Sequence, residues 1–306
     1  MRPKYYDENT LGPTETIKQV FENEEYLPSW FNVDIEKLRI IVDIGAMIGS
    51  FSLWAAQKFP KSLVYCFEPD PESFDYLKKN IEEYNLQNRI KAENFAVWDK
   101  EGKSTLYRYK KTPSCNSLIY DEAPGTIDEP ISLQISTKSI SDILHKVGRI
   151  DFLKMDCEGS EFDILYSLKK SQLEKIQYLV LEYHDFDNDP KRNSTKLLQF
   201  LRDAEFAAQK IPTDTRKNKG VGYIYASRTK KITSLLNLIF DGETKLIGKY
   251  LEIPGVLQEK LVSLEQDFDK RSKWALELEK TVAEKDKIIA TLQQDFDKRS
   301  KWALEL

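Results

Sequence analysis

The run Arg39-Ile-Ile-Val-Asp-Ile44 closes on Gly45, and the segment behind it, Ser50–Phe59, places Phe51, Trp54, Ala55 and Phe59 at helical spacing. A short β-branched strand that ends in a glycine turn and opens directly into a helix is the start of a βαβ unit, and little else folds this way. The alternation continues. Strand-like runs at Leu63–Phe67, Arg89–Val97, Ile150–Met155 and Ile176–Tyr183 are separated by amphipathic stretches at Pro71–Tyr84, Glu161–Leu168 and, after the last run, Ser194–Ala204. Such alternation predicts a doubly wound α/β fold, with a mostly parallel sheet covered on both faces. Ser104–Tyr109 and Ile131–Thr137 read as an inserted hairpin, and two final strands between Ile211 and Ser227 flank the polar turn Thr213–Gly220. A helix around Glu15–Glu24 is expected to pack at the mouth of the domain.

The expected organisation is a helical lead-in over 1–38, a catalytic-type α/β domain over 39–228, a helical connector over 229–255 and a coiled coil over 256–306. The last rests on a stripe including Leu261, Leu264, Phe268, Leu278, Val282, Ile289 and Leu292, stepping by threes and fours. Leu264–Leu278 returns as Leu292–Leu306 with one residue changed, an offset of 28 residues. Four whole heptads keep both copies on one stripe, which predicts a homo-oligomer. Each copy also lengthens a helical rod by about 42 Å. A spacer facing a polymer-making partner, such as a glycosyltransferase, therefore stands beside the plain oligomerisation tail.

Composition removes several classes. A net charge of −4 provides no basic footprint for nucleic acid. Cys66, Cys115 and Cys157 are odd in number and form no CxxC pair, which argues against a disulfide framework or structural zinc. No apolar run reaches the length of a membrane span, and the N-terminus has no signal-like apolar region. The chain reads as cytoplasmic. The apolar Ile232–Phe240 is read first as a docked helix, with peripheral association at the inner face of the membrane as the other reading.

The chemistry sits at strand ends. Asp43-Ile-Gly-Ala-Met-Ile-Gly49 lacks the middle glycine of a pyrophosphate-binding GxGxxG loop, and Asp43 just before it would repel phosphate. A carboxylate there suits an ammonium group, as on the aminocarboxypropyl arm of S-adenosylmethionine. Glu68, ending the second run in Cys66-Phe-Glu-Pro-Asp70, can accept both hydroxyls of a ribose. Asp156 and Glu158 end the fourth strand and Glu182 and His184 the fifth, so adjacent strand ends bring them to one acceptor. His184 is the preferred general base, because an ordinary imidazole titrates near neutrality. Lys154 is expected as a charge partner. Asp156, Glu158 and His184 also form a set that could ligate a divalent ion, a role not favoured over hydrogen bonding.

In order, DIGAMIGSFSLWAA, CFEPDP, NFAVWD, IDFLKMDCEGSEFDIL and LVLEYH resemble the FkbM family of S-adenosylmethionine-dependent methyltransferases over about Ile40 to Ser227. The most specific element is Lys154-Met-Asp-Cys-Glu-Gly-Ser-Glu161. The resemblance implies a Rossmann-like class I methyltransferase with a seven-stranded sheet and O-methyl transfer, often to sugars or natural-product scaffolds. It implies that Asp43, Gly45, Ala46, Met47 and Gly49 wrap the methionine arm of the cofactor. Glu68 and Pro69 would lie at the ribose, and Asn94, Phe95 and Ala96, ending the third strand, at the adenine. Asp156 would orient cofactor or acceptor. The loop Ser114–Leu118 would border the substrate mouth, and Met47 stands where the family commonly has Asn.

The expected activity is thus O-methyl transfer to a carbohydrate hydroxyl, with a cell-envelope polysaccharide as one setting. Two competing readings are a nicotinamide-dependent oxidoreductase or epimerase, and a scaffold whose methyltransferase domain is degenerate. The first lacks GxGxxG, and its Tyr-x-x-x-Lys pairs, Tyr107/Lys111 and Tyr166/Lys170, fall away from the expected cofactor edge. The second sits poorly with intact Asp43, Glu68, Asp156 and His184.

Overall fold

The central strands of the main sheet are short apolar runs that stop at a glycine or acidic turn, as at Gly45, Glu68, Asp156 and Asp185. The structure, a computed structural model, describes residues 1–10, 12–28, 31–119, 128–185, 192–212 and 220–228. The expected connector, the heptad region and most of the turn after Pro212 lie outside these residues.

In chain order the elements are α1 (Pro13–Phe21), β1 (Ile40–Ile44), α2 (Ser50–Lys58), β2 (Leu63–Phe67), α3 (Pro71–Glu83), β3 (Ile90–Glu93), β4 (Ala96–Trp98), β5 (Gly102–Arg108) and β6 (Ile131–Ser139). They are followed by α4 (Ile140–Val147), β7 (Ile150–Met155), α5 (Glu161–Tyr166), α6 (Lys170–Leu173), β8 (Ile176–His184), α7 (Ser194–Asp203), β9 (Ala207–Pro212) and β10 (Val221–Ser227). Seven strands form one sheet in the order β3-β2-β1-β7-β8-β10-β9. The first five are parallel, and β10 runs antiparallel to both β8 and β9. This is the class I methyltransferase arrangement, a Rossmann-like α/β sheet.

The strand order reverses between β1 and β7. Ligands in such sheets bind beyond the carboxyl ends of the strands at that reversal, and the site is there. Every residue of β7 is buried, as expected for a central parallel strand with helices on both faces. Alternate side chains feed two cores. Val42, Leu153 and Leu179 pack on one face, and Ile41, Phe152 and Val180 on the other. Each such side chain, fully removed from water, contributes about 1.5–3 kcal/mol. None of the described helices is long and apolar enough to cross a membrane.

Three local expectations are corrected. The run Arg89–Val97 is two strands. β3 pairs with β2 in the main sheet, while β4 pairs with β6 in a separate three-stranded sheet, order β4-β6-β5. Asn94 and Phe95 therefore form the crossing between sheets and do not end the third strand. Helix α4 is an addition to the expected elements, because β6 runs into it without a loop; Ser139 and Asp142 close a reciprocal capping box at the junction. The penultimate strand begins at Ala207, four residues before the expected start.

Candidate active site

The turn after β1 takes three left-handed residues, Gly45 (φ 76°), Met47 (φ 49°) and Gly49 (φ 90°). The N–H groups of Gly45 and Ala46 donate to Phe67 O at 3.1 and 3.0 Å, which draws the turn over the end of β2. Glu68 completes the tie. Its Oε2 accepts from Met47 N–H and its Oε1 from Asp70 N–H, each at 2.8 Å. Asp70 then caps α3 by accepting from Ser73 N–H. Burial pushes the Glu68 carboxyl up to about 8, against the lowering effect of those N–H donors.

Gly45 is required by a close approach. A Cβ there would lie 1.8 Å from the carbonyl oxygen of Asp156, so the turns after β1 and β7 touch through their backbones. Gly49 departs from expectation. A Cβ on it would lie 2.6 Å from Leu77 Cδ1, so its bareness makes room for α3 rather than for a ligand.

Asp43 is corrected as well. Its side chain is fully buried and absent from the cavity wall. Ser52 Oγ donates to its Oδ2 at 2.7 Å, and Lys154 Nζ lies 3.2 Å from its Oδ1. A direct contact with an ammonium group is therefore not what this carboxylate is placed to make. Lys154 also donates to Gly45 O at 2.8 Å, so the ion pair holds the turn from below. Burial favours the neutral amine, but Asp43 and Asp156 outweigh it and hold the Lys154 pKa above its ordinary value.

A cavity of about 530 Å³ opens above these turns. Glu68, Pro69, Gly45, Ala46, Met47 and Ala96 line it, but Asn94 and Phe95 do not. The Asn94 amide donates to Glu68 O and Pro69 O at 2.8 and 3.1 Å, bracing the turn after β2. Phe95 packs on Phe67, ring centroids 5.0 Å apart. Ser50, which has no expected role, lines the wall at the first turn of α2. Its Oγ is buried with no hydrogen-bond partner among the described residues. An unsatisfied hydroxyl at a helix N-terminus suits a carboxylate, as S-adenosylmethionine carries on its methionine arm. With the Glu68 carboxyl on the same wall, the residues fit that cofactor.

At the other end of the cavity the structure brings together Asp156, Glu158, Glu182 and His184, all on its wall. Tyr26, reaching in from the N-terminal segment, donates its hydroxyl to Asp156 Oδ2 at 2.9 Å. Tyr223 on β10 lies 2.6 Å from Glu25 Oε2 and 3.3 Å from Glu182 Oε2. Sequence reasoning singles out neither tyrosine, because both lie on segments remote from the strand ends they serve. Ser117, from the loop expected at the substrate mouth, donates to Glu158 O at 2.6 Å.

His184 lies between two carboxylates, Nε2 at 3.3 Å from Glu158 Oε2 and Nδ1 at 3.4 Å from Glu161 Oε1. Glu161 is fully buried and accepts from the N–H groups of Cys157 and Gly159, both at 2.9 Å. Burial alone would lower the His184 pKa, but Glu158, Glu161 and Glu182 raise it well above the ordinary histidine value. These surroundings are not those of an ordinary imidazole, on which the expectation of a histidine base rests. Glu158 is pushed up to about 7 by burial, with His184 opposing and Asp156 and Glu161 adding to the rise. One ligand atom each from Asp156, Glu158 and His184 falls within 4.8 Å of the others, a spacing that fits a single cation.

Residues 43–207 match the model of the methyltransferase FkbM domain, more than half of the chain. The chain is 30% identical over 165 residues to Methyltransferase 1 of Beauveria bassiana, covering 49% of this chain and 66% of that protein. It is 24% identical to the 2-O-methyltransferase NoeI of Sinorhizobium fredii, over 48% of this chain and 63% of the relative. It is 23% identical to the hexuronic acid methyltransferase AglP of Haloferax volcanii, over 59% and 74%. The matches thus span about two thirds of the first of these relatives, and the nicotinamide reading falls. The chain belongs to the FkbM family of S-adenosylmethionine-dependent methyltransferases.

Proposed function

We propose that this enzyme methylates a hydroxyl oxygen of a carbohydrate. The observation that carries the reading is one cavity with Glu68 and Ser50 on the cofactor side and Asp156, Glu158, Glu182 and His184 on the other. S-adenosylmethionine, when bound, supplies a methyl group made electrophilic by its sulfonium. The protein's part is to bring a hydroxyl in line with it and to take the proton that the oxygen loses. Carboxylates at neighbouring strand ends serve both needs. They accept hydrogen bonds from the several hydroxyls of a sugar, and they receive the proton as the oxygen–carbon bond forms and the carbon–sulfur bond breaks. Lys154 and the glycine turn hold the cofactor side at a fixed distance from them.

The relatives support the class of acceptor. One is named for methylation at an oxygen numbered 2 and another for a hexuronic acid. The test is transfer of label from methyl-labelled S-adenosylmethionine to a panel of oligosaccharides, followed by mild alkali. Label that survives alkali is an ether and supports the reading. Label released by alkali is an ester on a sugar carboxyl, and either that or no transfer to any glycan overturns it.

A further inference from the structure

The cavity end formed by the turns after β7 and β8 gathers several carboxylates and an imidazole. Asp156, Glu158 and Glu182 line it, Glu161 is buried behind His184, and Lys154 is already paired with Asp43 at 3.2 Å while standing 3.9 Å from Asp156. Buried carboxylates that crowd together need a counter-charge. We propose that Asp156, Glu158 and His184 bind a divalent cation through two carboxylate oxygens and one imidazole nitrogen. The three donor atoms lie within 4.8 Å of one another, close enough for one ion to touch all three.

The surroundings of His184 are an independent sign. The residue is 9% exposed, and its ring is set from behind. Glu161, immobilised by the Cys157 and Gly159 N–H groups, faces Nδ1 at 3.4 Å. With that carboxylate on the Nδ1 side, Nε2 is turned toward Glu158 Oε2 at 3.3 Å. A carboxylate behind an imidazole, with the opposite nitrogen presented to carboxylate oxygens, is how proteins orient a metal-binding histidine. Glu161 is thus a positioning residue. A donor set of two carboxylates and one imidazole suits manganese among the harder divalent ions and leaves coordination positions open toward the cavity. A sugar hydroxyl entering there would be polarised by the ion, and Glu182, outside the ligand set, would remain to accept its proton. That last step rests on the carbohydrate reading; the ion site does not.

The experiment uses the full chain, stripped with chelator and titrated with Mn²⁺ without cofactor or acceptor, so that it stands apart from the methyl-transfer assay. Free Mn²⁺ is read by electron paramagnetic resonance. The expected result is one tightly bound ion per chain whose spin-echo modulation shows coupling to a nitrogen nucleus. Binding should be lost in Glu158→Gln, the nitrogen coupling lost in His184→Gln, and affinity weakened about 10–100-fold in Glu161→Gln. Exposed Glu101→Gln should bind as the parent does. No Mn²⁺ binding by the parent overturns the proposal, as does bound Mn²⁺ without nitrogen coupling or undiminished binding in Glu158→Gln. If a variant fails to fold by circular dichroism, the nitrogen coupling of the parent decides alone.

Discussion

Lys154 and Asp43 are direct neighbours across the pairing of β1 with β7, and their charged ends meet 3.2 Å apart with both side chains shut off from solvent. Removing one partner leaves the other charge buried alone. Lys154→Met should therefore lower stability by about 3–5 kcal/mol. The double variant Asp43→Asn, Lys154→Met should recover much of it, since both charges go. Urea denaturation of the three proteins measures this, and a single variant as stable as the parent refutes the pair's structural role.

Glu68 makes two testable statements. Replacing it by Ala should weaken S-adenosylhomocysteine binding by about 2–4 kcal/mol, through loss of charge-assisted ribose bonds. Its carboxyl, raised to about 8 in the free enzyme, must be ionised to accept from both ribose hydroxyls. Binding at neutral pH should then release a proton, and affinity should climb as pH rises toward about 8 and level off above it. Calorimetry in two buffers of different ionisation enthalpy checks the proton. Equal heats in both buffers would remove the linkage.

The acceptor end should act on turnover and leave cofactor binding alone. Glu158→Gln and His184→Ala should each cut the methyl-transfer rate by about 100-fold or more, with S-adenosylhomocysteine affinity unchanged. Transfer rates and binding isotherms on the same preparations separate the two. A parallel loss of affinity would mean these residues hold the cofactor.

Tyr26→Phe keeps the ring that packs edge-on against Phe51 and Tyr223 and removes only the hydroxyl given to Asp156. About 1 kcal/mol of stability should go with it. Turnover should fall further than stability predicts, because Asp156 loses a fixed donor. Unfolding midpoints and initial rates, compared side by side, provide the check.

Much of this arrangement is legible in the amino-acid sequence. The glycine turn, Glu68 before its proline, and the paired acidic strand ends can be read because each lies within a few residues of the strand that positions it. What escapes is long-range or rotational. Asp43 falls on its strand as expected, but the direction of its side chain depends on Lys154, 111 positions later. The surroundings of His184 escape for a related reason. An ordinary imidazole pKa assumes ordinary surroundings, and Glu161 behind the ring looks in the sequence like no more than a helix-start residue. Tyr26 and Tyr223 carry no motif at all; they matter because opposite ends of the α/β domain fold back over one sheet edge.

The heptad region over 256–306 is a separate expectation. A helix with Leu261, Leu264, Phe268 and Leu278 on one stripe needs a partner to cover them. The full chain should therefore scatter light as an oligomer, and a chain ending after Gly255 as a monomer. A full chain monomeric at micromolar concentration would dispose of the oligomer reading.

The backbone contact between Gly45 and Asp156 has a bearing on how enzymes of this shape can diversify. Donor and acceptor turns are fastened to each other without a side chain between them, so neither can be remodelled without dragging the other. New acceptor preferences have to come from the parts that reach the cavity from outside this joint: α1, Tyr26 and the Ser114–Ile119 loop. A designer seeking to redirect the enzyme to another acceptor should graft those segments and leave the strand ends untouched.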